Sequence, residues 1–142
     1  MITVEMDFDT RSAQGCETVV HLPTGLLGFE QHKKYLLTRH EDEDPFHRLS
    51  VLGDPSLSFL VLSPFEALPD YQPNVPSDDA RSLALERPED AYLLGIVTLR
   101  PRGRSTINLK GPIVVNRFTL TARQVILANA SQYSVQHPLP EE

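Results

Sequence analysis

The chain has 142 residues, a formal net charge of −6 and a single cysteine, Cys16. That length suits one domain, which can bury about two-thirds of the surface its unfolded form exposes and needs no disulfide or metal to fold. The acidic balance argues against a general polyanion binder, whose affinity comes from neutralising phosphates, and favours a neutral or cationic partner.

In chain order, "ITVEM" alternates, with Ile2, Val4 and Met6 on one side and Thr3 and Glu5 on the other. "ETVVHL" is a second strand, stopped by Pro23, and "PTGLLGFE" is a glycine-rich loop carrying Leu26, Leu27 and Phe29. "KYLLTR" is a strand, and "EDEDP" is an exposed acidic turn. "FHRLSVL" and "LSFLVLS" read as antiparallel neighbours joined across "GDPS". Residues 64–79 hold four prolines and read as an irregular loop anchored by Phe65, Leu68 and Tyr71. "DDARSLALERPED" is the one expected helix, capped by Asp78 or Asp79 and ended by Pro88. "YLLGIVTLR" is the best candidate for a buried strand, and "STINL", "IVVNRF" and "RQVIL" supply three more. The expected class is therefore mostly β: a small antiparallel β-barrel-like single domain with one or two short helical turns. Residues 1–130 are the expected folded core, and 131–142 a partly ordered tail.

The motifs of common chemistry do not occur. There is no G-x-S-x-G elbow and no P-loop, and "GLLGFE" lacks the third glycine of a dinucleotide fingerprint. His21, His32, His40, His47 and His137 show no metal-ligand spacing, and Cys16 has neither a cysteine mate nor a neighbouring cation. No cofactor or metal is expected, and the chain does not read as an enzyme. No apolar run approaches the roughly 20 residues of a membrane helix. The N-terminus lacks the basic start and apolar core of a secretion signal, so the expected location is cytoplasmic.

Arg100, Arg102 and Arg104 flank Gly103 and read first as a solvated hairpin tip. The competing reading, a nucleic-acid-binding small β-barrel using this hairpin, would give a salt slope of only about −2.7 from three phosphate contacts. In "STINLKGPIVVN", Pro112 cannot donate to a sheet ladder, so Gly111-Pro112 marks a bend between two strands. Asn108 and Asn116 are placed to bond backbone groups left free at such a corner, or, with Lys110, to face a partner. Neither alternative supplies a nucleophile with a base beside it.

"LPTGLLGFEQHKKYLL", "PFHRL", "LSFLVLSPFEALPDYQ" and "TINLKGPIVVN…ARQVILANASQYSVQHPL" occur in the order of the flagellar assembly factor FliW family, which nearly the whole chain resembles. Ser63 stands where an acidic residue often precedes the proline, and Gly111 where alanine is usual. The resemblance implies a small, mostly β, non-catalytic protein with two partners. One is flagellin, bound before export; the other is the translational regulator CsrA, which represses flagellin synthesis. No direct nucleic-acid or membrane partner is implied. Matched to the family motifs, the expected partner-binding residues are Phe29, Glu30, Phe46, Phe65, Tyr71, Asn108, Lys110, Asn116 and Gln124.

Overall fold

A computed structural model describes residues 2–3 and 17–140. Beyond Thr3, the strand expected over Ile2–Met6 lies outside the described residues, as does Cys16. The strands are β1 (Ile2–Thr3), β2 (Glu17–His21), β3 (Lys34–Arg39), β4 (His47–Val51), β5 (Asp54–Leu62), β6 (Asn74–Val75), β7 (Ala91–Thr98), β8 (Thr106–Ile107), β9 (Ile113–Asn116), β10 (Ala122–Gln124) and β11 (His137–Pro138). Two short helices, α1 (Pro64–Ala67) and α2 (Ser77–Ser82), interrupt them.

The main sheet runs β10-β9-β7-β5-β4-β3-β2, with β8 joined to β7 and β11 to β8, and every one of these ladders is antiparallel. A second small sheet pairs β1 with β6. The architecture is thus the expected antiparallel β fold, but its ladder does not close into a barrel: β2 and β10 remain its two ends.

Strand β7 explains the shape. Its apolar run has no polar alternation, so both faces are buried. Ala91, Leu93 and Val97 join one core cluster with Tyr71, Val75, Leu83, Ile107 and Leu109. Tyr92 and Leu94 join the other, with Val20, Leu22, Tyr35, Leu49, Val61 and Val115. Gly95 lies between them for a steric reason: a Cβ there would sit 2.6 Å from Ile107 Cδ1. The β4–β5 hairpin forms as expected, although Asp54-Pro55-Ser56 belongs to β5 rather than to the turn. Pro55 is tolerated because β7 pairs only with Leu60–Leu62, which leaves the start of β5 as an edge.

Three expectations differ from the structure. The proline-rich stretch 64–79 is not wholly irregular: Pro64 opens α1, at a helix position whose N–H would have no partner anyway. The helix expected over 78–90 is only α2; Pro76 precedes it, no side chain caps it, and Ala84 turns the chain away with φ 55°. Pro88 does not end that helix but starts a separate turn, where the Asp90 carboxylate accepts from the Glu86 and Arg87 amides at 3.1 and 3.0 Å. The described part of the tail, expected to be only partly ordered, is tied down. Leu109 N donates to Ser134 O at 3.0 Å, Leu139 N to Ser105 O at 2.9 Å, and the Tyr133 ring packs 4.7 Å from Tyr71. Polarity misled there, because β11 is held by backbone pairing and needs no apolar stripe.

Candidate functional site

The two ends of the sheet meet at one point. His21 bridges Thr121 in parallel sense, and His21 N donates to Leu120 O at 2.9 Å. Leu120 is held at φ 59°, a conformation that is unfavourable for a side chain of its size. The next donor of a parallel ladder, two residues on, is Pro23, which has no N–H. The strands therefore part. A cavity of about 110 Å³ opens between them, lined by Pro23, Thr24, Leu83, Thr121, Ala122 and Arg123. Arg123 Nε lies 3.1 Å from Asp79 Oδ1 at its rim.

Above the cavity, the loop that follows β2 folds back on itself. Gly25 (φ +67°) is required there, since a Cβ would lie 2.7 Å from Phe29 O and from Glu30 Cα. The Glu30 carboxylate accepts from Gly28 N at 3.1 Å, a bond that holds its pKa below the ordinary value, and Lys33 donates to Glu30 O. Phe29 packs edge-on against Phe59, with centroids 5.1 Å apart. This leaves Leu27 directed outward and 64% exposed.

Gln124 joins this loop to the Gly111-Pro112 bend. Its Oε1 accepts from Leu27 N at 3.0 Å, and its Nε2 donates to Gly111 O at 3.1 Å. At the bend, Asn108 Oδ1 accepts from Lys110 N (3.0 Å) and Gly111 N (2.9 Å). Ile126 lies against Gly111, within 3.2 Å of where a Cβ would be, and is 55% exposed. Lys110 is half-buried on the same bend. The seam thus gathers Phe29, Glu30, Asn108, Lys110 and Gln124 from three separate stretches of the chain.

The other expected residues lie elsewhere. Asn116 is only 3% exposed; its Oδ1 accepts from Phe118 N (2.9 Å) and Thr119 N (3.2 Å), and its Nδ2 donates to Leu83 O at 2.8 Å. Tyr71 is 2% exposed and donates its hydroxyl to Leu109 O at 2.6 Å, and burial raises its pKa far above the ordinary value. Both side chains act inside the fold. Phe65, half-buried, packs edge-on against Tyr71 at 5.6 Å, and Phe46 is half-buried against the same core. Of the arginine tip, Arg104 donates to Leu139 O, so it also ties down the tail.

The family model described as "FliW protein" matches residues 6–139. The chain belongs to the FliW family. It is 36% identical over 124 residues to the flagellar assembly factor FliW of Geotalea uraniireducens, covering 87% of this chain and 75% of the relative. It is 34% identical over 125 residues to that of Natranaerobius thermophilus, covering 87% and 82%. A solved structure titled "Crystal structure of the flagellar assembly factor FliW" superposes with a TM-score of 0.77 at 30% identity, covering 87% of this chain and 86% of that one. As a FliW protein, then, the chain has a sheet of the family type with an open seam. Among the described residues, no helix is long and apolar enough to cross a membrane, and no cluster of three His, Cys, Asp or Glu side chains could hold a metal.

The motif reading missed one property of this FliW chain. Residues 91–140 contain six basic side chains (Arg100, Arg102, Arg104, Lys110, Arg117 and Arg123) and no carboxylate, although the whole chain carries 19. Net charge hides this; counting by segment shows it. The exposed Leu27, Phe118 and Ile126 were also missed, since an apolar residue in a loop gives no sign of which way it points.

Proposed function

We propose that this chain is a non-enzymatic flagellar assembly factor. It binds flagellin in the cytoplasm and, when flagellin is scarce, binds the translational regulator CsrA instead, so that flagellin synthesis follows export. The observation that carries this reading is the family match over residues 6–139, supported by the superposition at a TM-score of 0.77. The geometry agrees with it: the seam presents a loop, a bend and exposed apolar side chains held on a rigid sheet, which suits recognition of another protein. A switch between two partners requires their binding free energies to be coupled, and the coupling is reciprocal.

Titration calorimetry with purified flagellin and with purified CsrA tests it. The expected result is saturable binding of each, with flagellin lowering the apparent affinity for CsrA by the same factor as the reverse. Binding of neither partner would overturn the proposal. Binding of both with no mutual effect would remove the switch.

A further inference from the structure

Among the described residues, the outer edge of β10 beyond its bridge to His21 is an unfilled place in the sheet. Asn116 N donates to Thr121 O, Val125 N to Pro112 O and Leu127 N to Lys110 O, so residues 121, 125 and 127 turn their backbone groups toward β9 and its approach. Pairing alternates along an antiparallel strand, so Ala122, Gln124 and Ile126 turn their N–H and C=O groups outward. Beyond the His21–Thr121 bridge, which takes the Ala122 N–H, no described strand covers the edge, because β10 ends the sheet and β2 leaves it at Pro23; the Ala122 C=O and the backbone groups of Gln124 and Ile126 have no described strand beside them.

Three further observations fall on this edge. The cavity of about 110 Å³ opens beside Ala122; it is smaller than the roughly 150 Å³ that holds a benzene ring, and so suits one branched aliphatic side chain. Leu27 and Ile126 stand exposed beyond it. The chain from Thr106 to Pro140 brings Lys110 and Arg123 to this edge with no carboxylate of its own, and among the described residues Asp79 pairs with Arg123.

We infer that the seam accepts an extended, acidic segment of a partner protein, added as a strand to the outer edge of β10. The segment would place an aliphatic side chain in the cavity and carboxylates toward Lys110 and Arg123. Backbone pairing supplies affinity in such strand addition, and the alternate side chains supply selectivity. Charge decides between occupants. A second copy paired edge to edge would bring two carboxylate-free stretches together, which like charges disfavour, whereas an acidic strand is attracted. The edge has this character whether or not the partner belongs to the flagellar system.

The test uses the full chain with a synthetic ten-residue peptide of alternating valine and aspartate, and a second of alternating valine and lysine. Hydrogen exchange followed by NMR is expected to slow at Gln124 and Ile126 with the aspartate peptide and to be unchanged with the lysine peptide. Lys110→Glu and Ile126→Asp, each checked for an unchanged melting temperature, are expected to weaken the aspartate peptide about tenfold. Thr24→Phe, which fills the cavity mouth, is a second route to the same loss. Equal binding of both peptides, or binding without slowed exchange at β10, would overturn the proposal. So would slowed exchange there that depends on protein concentration in the absence of peptide, which would make the edge a self-interface.

Discussion

The two asparagine corners do the same local work and differ in everything around it. At each, a side-chain oxygen accepts from the amides two and three residues on: Lys110 and Gly111 for Asn108, Phe118 and Thr119 for Asn116. Asn116 is buried and also holds the Leu83 carbonyl, fixing the α2 segment to the sheet. Asn108 is half-buried, and its bend carries Lys110, Ile126 and the Gln124 bridge to the outer surface. The same residue type in the same turn therefore serves cohesion at one corner and presentation at the other. Burial makes the difference, because water can replace a lost hydrogen bond only where water reaches.

The contrast is tested first at its strongest point. Asn116→Ala strips the partners from three backbone groups, one of them the carbonyl of buried Leu83, and is expected to cost about 3 kcal/mol in urea unfolding. A loss below about 1 kcal/mol would mean that water enters this corner. Tyr71→Phe removes the donor to Leu109 O while keeping the ring stacked between Phe65 and Tyr133, and is expected to cost about 1–3 kcal/mol. Asn108→Ala is expected to cost only about 1 kcal/mol, since its amides lie near solvent. Equal losses at Asn108 and Asn116 would break the comparison.

His47 carries the same logic to a titrating group. It is buried at the base of the acidic turn, beside Asp44, Arg39 and the Pro45 backbone, and desolvation lowers its pKa. The unfolded chain therefore takes up a proton near the ordinary value of about 6.5 while the folded one does not, so stability falls as pH drops below it. His47→Gln is expected to flatten the thermal midpoint between pH 7 and pH 5 (roughly the span below the ordinary histidine value). A slope unchanged by the substitution would locate the titration elsewhere. The smallest effect is expected from Gln124→Ala, about 0.5 kcal/mol in stability, with faster amide exchange at Leu27 as the sharper readout.

Much of the sheet was legible because its signals are local. Short apolar and β-branched runs located β2, β3, β4, β5 and β7, and the lack of an amide on Pro112 located the bend. The asparagine turns could be read because their partners lie two and three residues away. What could not be read depends on distant partners. Gln124 reaches Leu27 across 97 positions, and Tyr71 reaches Leu109 across 38. Tyr71 looked like a loop aromatic available to a partner, yet the Leu109 carbonyl draws it into the core. The α2 helix was over-extended because Ala84 at positive φ carries no sequence mark. Sheet closure was expected because strands were many, but the single missing N–H of Pro23 stops it at the one place the ends meet.

Strand β7 belongs to both cores at once, with alternate side chains serving opposite sides. A slip by one position would exchange Leu93 and Leu94 between compartments and leave neither filled. The strand is thus a shared wall: neither half of the molecule can come apart while the other stands, and disturbance on one side is felt on the other. Denaturation followed by a probe in either compartment should trace one and the same curve.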